Sequence, residues 1–176
     1  AISGERMCRR LANIELSHLD LIRRAVDGGA PWILILEDDA HAADLDALMG
    51  DVRAIMESAG PAGSPQYVSL SESFDAARLG VHGLMAPMEV TGVRGVVLRA
   101  RKPVTNTVCA VLYRAEFAAT VLRDCEELGL FPICAIDWKL NAVLMGMHAA
   151  GEIGEGDCWF VEPGPFRQRS MHAGGT

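Results

Sequence analysis

The stretch Trp32-Ile33-Leu34-Ile35-Leu36-Glu37-Asp38-Asp39 joins five consecutive apolar residues to three consecutive acids. The apolar run contains two β-branched isoleucines and follows a Gly-Gly pair and a proline. A short, continuous apolar run with such flanks predicts a strand buried on both faces of a mostly parallel sheet. Open α/β sheets bind their ligands at the carboxyl ends of strands. The three acids therefore make this strand end the first candidate site.

Helices and short strands are predicted to alternate on both sides of that strand. Apolar residues spaced by three and four predict a helix over residues 4–26, with an apolar stripe formed by Leu11, Ile14, His18 and Ile22. The same period predicts helices over residues 44–58, 115–128 and 138–149. Apolar runs predict strands over residues 67–70, 108–113 and 158–161, with less regular pieces near 89–90 and 95–98. This alternation predicts a layered α/β fold in a single domain over residues 1–176.

The overall composition excludes several classes of protein. The 176 residues are 50% hydrophobic and 22% charged, which is typical of a globular domain and excludes wholesale disorder. The net charge of −7 argues against a nucleic-acid binder, because such proteins depend on cationic contacts with phosphate. The apolar runs fall short of the ~18 to 20 residues that cross a bilayer. Five cysteines without a C-x-x-C pair predict reduced thiols and a cytoplasmic location.

The acidic triplet predicts a divalent-cation site. Three adjacent carboxylates repel one another, so the cluster costs stability unless a cation or hydrogen-bond donors neutralise it. If strand geometry continues, Glu37 and Asp39 point to one side and Asp38 points to the other. Oxygen ligands without cysteine suit Mn²⁺ or Mg²⁺, which often share their coordination shell with substrate phosphates. The alternative is a solvated loop in which Asp39 or Asp44 caps the next helix.

Several segments, in the same order, resemble glycosyltransferase family 25, which includes bacterial lipopolysaccharide glycosyltransferases. Residues 13–19 (NIELSHL) resemble the family's "ALSH" helix, and residues 32–40 (WILILEDDA) resemble its strand ending in "LEDD". Three later segments are similar to the family's strand-then-helix, "PxD" and proline-rich segments, namely residues 108–122 (VCAVLYRAEFAATVL), 132–140 (PICAIDWKL) and 162–170 (EPGPFRQRS).

The resemblance implies a GT-A-like fold and metal-dependent transfer of a hexose, such as galactose, by inversion. The donor would be a nucleotide sugar, with a UDP-hexose expected, and the acceptor a glycan or lipid-linked saccharide. The implied location is cytoplasmic, with peripheral contact at the inner face of a membrane. The chain departs from the family in lacking the opening βα unit that helps to hold the nucleotide base. That departure favours an alternative, a non-catalytic sugar- or nucleotide-binding module, and a divalent-metal hydrolase is a third hypothesis.

The resemblance also implies roles for particular side chains. Glu37 and Asp39 would hold Mn²⁺ or Mg²⁺ together with His172 in the tail. Glu37 and Asp38 would contact the donor together with Ser17 and His18. The alternative for His18 is a packed, hydrogen-bonded histidine on the apolar stripe of its helix. The alternative for His172 is a tail histidine without a ligand.

Asp137 lies in the "PxD" segment, just before a predicted helix. It is interpreted either as an N-cap that satisfies backbone N–H groups or as the general base that deprotonates the acceptor hydroxyl. One residue can do both.

A local basic stretch lies within residues 90–115, where no acid accompanies five cations. It is interpreted either as a contact for an anionic acceptor, a lipid phosphate or the donor diphosphate, or as a solvated basic face. The cations are Arg94, Arg99, Arg101, Lys102 and Arg114.

Overall fold

A six-stranded sheet, a small two-stranded sheet and four α-helices make up the computed structural model, which describes residues 4–60, 64–72, 82–103, 107–129 and 134–169. The helices are α1 (Gly4–Asp27), α2 (Leu45–Ser58), α3 (Ala115–Glu127) and α4 (Ile136–Ala149). The strands are β1 (Trp32–Leu36), β2 (Ala40–His41), β3 (Tyr67–Ser69), β4 (Met85–Met88), β5 (Val96–Ala100), β6 (Ala110–Arg114), β7 (Cys158–Glu162) and β8 (Arg167–Gln168).

The large sheet is mixed, with the strand order β1-β6-β3-β7-β5-β4. Only the β3–β7 pair is parallel among these described strands, so the prediction of a mostly parallel sheet is wrong. A continuous apolar run indicates that both faces of a strand are covered, but it carries no information on the direction of the neighbouring strands. The predicted piece near residues 89–90 is also wrong, since β4 ends at Met88.

Side-chain alternation divides the core between the two faces of this sheet. On β6, Val111 and Tyr113 pack in a cluster with α1, α3 and α4, whereas Ala110 and Leu112 pack in a second cluster with α2. The residues of β1 alternate in the same way until Leu36, which is exposed. The prediction that both faces of β1 are covered is therefore confirmed for residues 32–35, but not for Leu36.

The buried stripe of α1 differs from the predicted one. Leu19 and Ile22 enter the core, but Ile14 is exposed and Glu15 is fully buried. Glu15 forms an ion pair with Lys139 of α4, whose side chain is also buried. Apolar periodicity missed this position because it counts a buried, paired carboxylate as a surface residue.

The ion pair joins three helices. The Lys139 ammonium donates to the Glu15 carboxylate. It also donates to the carbonyl oxygen of Gly129 at 2.5 Å, and Gly129 lies just beyond the end of α3. Burial of a charge is tolerated only when it is paired and hydrogen-bonded. The start of α4 is thereby held against both α1 and α3.

Gly164 lies where the C-terminal segment crosses the end of β3. A Cβ atom there would lie 2.1 Å from the carbonyl carbon of Ser71 and 2.3 Å from the backbone nitrogen of Glu72, so only glycine allows this approach. The contact is extended by Phe166, whose N–H donates to the carbonyl oxygen of Leu70 at 3.0 Å. This crossing brings β8 into an antiparallel pair with β2, directly after the acidic triplet.

We predict that Lys139→Met lowers the free energy of unfolding by about 3 to 5 kcal/mol, because it leaves the Glu15 carboxylate buried without its cation. The double variant Glu15→Leu, Lys139→Met should lose less than Lys139→Met alone, since no charge then remains buried. Urea unfolding measures both values. Arg24→Met removes the exposed ion pair with Asp20 and serves as the control with little expected change. Wild-type stability in Lys139→Met would contradict the role assigned to the pair.

Candidate functional site

The candidate site begins where β1 ends against β6. Leu36 lies opposite Ala110 in this antiparallel pair, so the next position in register sets Glu37 opposite Cys109. The backbone N–H of Glu37 donates to the carbonyl oxygen of Cys109 at 2.9 Å, which extends the ladder by one hydrogen bond. Directly opposed residues project to the same face, with Cβ atoms about 5 Å apart. The pairing therefore brings a carboxylate and a thiol together.

A turn then returns Asp39 to the same place. The backbone N–H of Ala40 donates to the carbonyl oxygen of Glu37 at 3.1 Å, which closes the turn. The ligand atoms of Glu37, Asp39 and Cys109 lie within 4.8 Å of one another, while Asp38 is exposed. The expected separation of Asp38 from the other two acids is thus present, but a turn produces it rather than continued strand alternation.

An open cleft of about 1040 Å³ lies between α1 and the acidic end of β1. The wall formed by α1 carries polar and basic side chains, namely Arg6, Arg9, Arg10, Asn13, Ser17 and His18. Across the cleft lie the acids Glu37, Asp38 and Asp39, together with Gln168 of β8. The cleft therefore has a basic wall, which also carries the apolar side chains of Met7, Ile14 and Leu21, and an acidic wall.

His18 is both buried and adjacent to the cleft. Its side chain is buried, with 5% exposed, and it also lines the cleft. Within the described part of the chain, Nε2 is buried and has no hydrogen-bond partner. Burial lowers the pKa of His18 to about 4, so the imidazole is neutral near pH 7. A buried polar atom without a partner is costly, and a ligand in the cleft would relieve that cost.

The acidic wall accepts a hydrogen bond from β8. The amide of Gln168 donates to Glu37 Oε2 at 3.0 Å. Burial raises the pKa of Glu37, and the charges of Asp39, Asp137 and Asp38 raise it further. A cation is the group that would relieve both effects, so the donor set fits a divalent metal ion.

Cys109 belongs to this charged environment. Burial raises the pKa of its thiol to about 12, with further contributions from Glu37 and Asp39, while a hydrogen bond with Ser71 acts in the opposite direction. Without a metal the group is therefore a neutral thiol beside two carboxylates. The sequence had predicted oxygen ligands without cysteine, and the structure places this thiol beside two of them.

Asp137 lies in the first turn of α4, and its predicted role as N-cap is wrong. The N-cap is Ala135, whose extended backbone starts the helix two residues before Asp137. The Asp137 carboxylate instead accepts a hydrogen bond from the backbone N–H of Trp138 at 3.0 Å. Burial raises its pKa. Asp137 acts electrostatically on Glu37 but does not line the cleft.

Two predicted groups remain, His172 and the basic stretch within residues 90–115. His172 is outside the described residues. The basic stretch does not line the cleft. Arg94 makes two side-chain hydrogen bonds to the buried Asp51, and the Arg114 guanidinium stacks over the Trp32 ring at 4.9 Å. These two arginines are therefore held by internal structural contacts.

The basic wall and Cys109 were not predicted from the sequence. Arg6, Arg10, Asn13 and Ser17 follow one another at spacings of three and four, so they share one face of α1. That spacing could have been found from the sequence, by extending the face that contains Ser17 toward the start of the helix. Cys109 required knowledge of the β1–β6 register, which the sequence does not supply.

Comparison with known proteins adds no relative. The chain matches no protein-family model, and a search of curated proteins finds no match either. The resemblance to glycosyltransferase family 25 thus rests on the quoted segments. Within the described ranges, none of the helices combines the length and apolar character that crossing a bilayer requires.

We predict that His18 makes the protein less stable as the pH falls from about 6.5 toward about 4. The folded-state pKa is about 4 against an ordinary histidine value of 6.5, so between these pH values the unfolded chain binds a proton that the folded protein does not. Two and a half pH units correspond to roughly 3 kcal/mol. His18→Leu should lose this pH dependence in urea unfolding, whereas His41→Leu, at an exposed position, should keep it. Identical pH slopes for His18→Leu and wild type would contradict the assignment.

Proposed function

We propose that this chain is a metal-assisted glycosyltransferase with a GT-A-like fold. It transfers a hexose from a nucleotide sugar, expected to be a UDP-hexose, to a glycan or lipid-linked saccharide at the cytoplasmic side of a membrane. The observation that carries the proposal is the cleft itself, in which an arginine-bearing helix faces three carboxylates. The sugar transfer is inferred from the motif resemblance, and the cleft is where the nucleotide sugar would bind.

The two walls match the two needs of a nucleoside diphosphate. Its phosphates carry negative charge, which guanidinium groups bind through charge-assisted hydrogen bonds. Three arginines of α1 line the wall from which such bonds would come. Carboxylates alone would repel the same phosphates, so the acidic wall fits this ligand only with a divalent cation between them. Bound there, Mn²⁺ or Mg²⁺ would act as a Lewis acid that neutralises the departing diphosphate.

The polar side chains of α1 would orient the donor. Asn13 and Ser17 lie on the cleft side of the helix and offer an amide and a hydroxyl. His18, neutral at pH 7, offers a ring nitrogen that lacks a hydrogen-bond partner in the described structure. Asp38, exposed in the turn, would accept a hydrogen bond from a sugar hydroxyl.

Asp137 is the proposed general base. Its raised pKa brings it closer to the neutral range in which a carboxylate base works most efficiently. The charge of Asp137 raises the pKa of Glu37, which belongs to the acidic wall. In this role it accepts the proton of the acceptor hydroxyl as the new glycosidic bond forms.

A second candidate function is a binding module that holds a nucleotide sugar without transferring it. This candidate is favoured by one observation, that Asp137 is not among the residues lining the cleft. The two candidates share donor binding and differ in turnover. A screen of nucleotide sugars with Mn²⁺, in which both thermal shift and release of nucleoside diphosphate are measured, separates them.

We predict that Mn²⁺ and UDP together raise the melting temperature by more than the sum of their separate effects, because the cation completes its shell with diphosphate oxygens. Arg10→Gln should reduce the response to UDP while keeping the response to Mn²⁺. Asp39→Asn should reduce both. Arg53→Gln changes an exposed arginine of α2 outside the cleft and serves as the control. Strictly additive shifts in wild type would count against the shared site.

We predict different failures for the two aspartates. Asp39→Asn should lose donor binding and rate together, since Asp39 would act in the ground state and the transition state alike. Asp137→Asn should keep donor binding and lose about 10²- to 10⁴-fold in turnover, because only the proton acceptor is removed. Initial rates and equilibrium binding on the same preparations measure both effects. Near-normal transfer by Asp137→Asn would assign the base to another residue.

A further inference from the structure

We infer that Cys109 is a third metal ligand beside Glu37 and Asp39, and that the site selects a thiophilic divalent cation, with Zn²⁺ the best fit, over Mg²⁺. The inference rests on the proposed function in one respect, the use of the two carboxylates as metal ligands. It goes beyond it in naming the soft ligand and the metal that this ligand favours.

The geometry supplies the ligand set. Antiparallel register places Cys109 opposite Glu37, and the turn at residues 37–40 returns Asp39 to them. One ligand atom from each of the three residues lies within 4.8 Å of the other two. A single ion between them would therefore be within reach of two oxygens and one sulfur. Two hard ligands and one soft ligand suit zinc better than magnesium, which prefers oxygen alone.

The surroundings of Cys109 differ from those of the other buried cysteines. Cys125 and Cys158 belong to the apolar cluster under α1, α3 and α4, where a thiol acts as a small hydrophobic group. Cys109 belongs to neither apolar cluster, although it is fully buried. Its neighbours are two carboxylates and the Ser71 hydroxyl. Cys109 is therefore the buried thiol whose surroundings suit metal ligation.

His18 provides an independent sign that the cleft receives a ligand. Only 5% of the residue is exposed, and Nε2 has no hydrogen-bond partner among the described residues. It lines the cleft whose opposite wall carries Glu37 and Asp39. A metal-bound water or a phosphate oxygen in the cleft would satisfy that nitrogen.

Three protein ligands leave a fourth tetrahedral position free. This is the arrangement of catalytic zinc sites, in which water or a substrate atom takes the remaining position. As the metal–sulfur bond forms, the thiol proton passes to solvent, so uptake of one metal ion releases one proton. The free position would face the cleft, where a diphosphate oxygen could enter it.

Cobalt titration tests the inference, because a thiolate bound to Co²⁺ gives an intense near-ultraviolet charge-transfer band that carboxylates do not give. The background is Cys8→Ser, Cys134→Ser, which removes the two less buried thiols. In this background we expect a band that saturates at one Co²⁺ per chain and is displaced by Zn²⁺. Cys109→Ala should abolish it, whereas the matched variant Cys158→Ala should retain it.

A second variant keeps the test decisive if Cys109→Ala does not fold. Glu37→Gln leaves the thiol in place, and it should weaken Co²⁺ binding at least about tenfold while the remaining band keeps its sulfur character. A band that survives unchanged in both variants would overturn the inference. Binding of Mn²⁺ or Mg²⁺ through Glu37 and Asp39 without any sulfur band would also overturn it, yet leave the proposed function intact. Absence of all divalent-metal binding would overturn both.

Discussion

The pairing of β6 with both β1 and β3 is the constraint on which the candidate site depends. Glu37 lies opposite Cys109 because Leu36 lies opposite Ala110, and continuation of the β3 register places Ser71 beside Cys109 on its other side. A slip of one residue would turn these side chains to the opposite face of the sheet. The same slip would move Val111 from the cluster with α1, α3 and α4 to the face that packs against α2. Apolar packing along β6 thus holds in place the polar groups at its end.

Charges are handled in two ways in this molecule. Where they serve structure they are fully paired, as in Glu15 with Lys139 and Asp51 with Arg94. At the acidic wall, an amide donates the hydrogen bond to Glu37, and the neighbouring carboxylates raise the pKa of Glu37. Repulsion there costs stability that the paired and packed regions must supply. An electrostatic cost confined to one cleft is typical of a binding site, where a ligand offsets it.

Local sequence patterns predicted most of the helices and strands. The features that they did not predict depend on contacts between distant segments. Periodicity gave α2 and β1 almost to the residue, since capping by Asp44 and an apolar run are local properties. Strand direction, the burial of Glu15 and the approach of Cys109 to the acids depend on segments far apart in the chain. The acids themselves were found because a charged end on a buried strand is visible locally. Cys109, which lies beside two of these acids, could not be found in this way, because the register of β1 depends on its pairing with β6.

The position of β7 has a consequence for how this fold forms. Among the described strands, β7 lies between the unit β1-β6-β3 and the hairpin β4-β5 and pairs with both. Until Cys158–Glu162 inserts, each of these units presents an unpaired edge, which is a template for association with another chain. Insertion also requires β7 to contact β3, about half of the chain earlier, and β5, about a third of the chain earlier, and contacts between such distant segments form slowly. Because β7 covers the open edges of β3 and β5 together, one set of contacts both completes the sheet and removes two templates for aggregation.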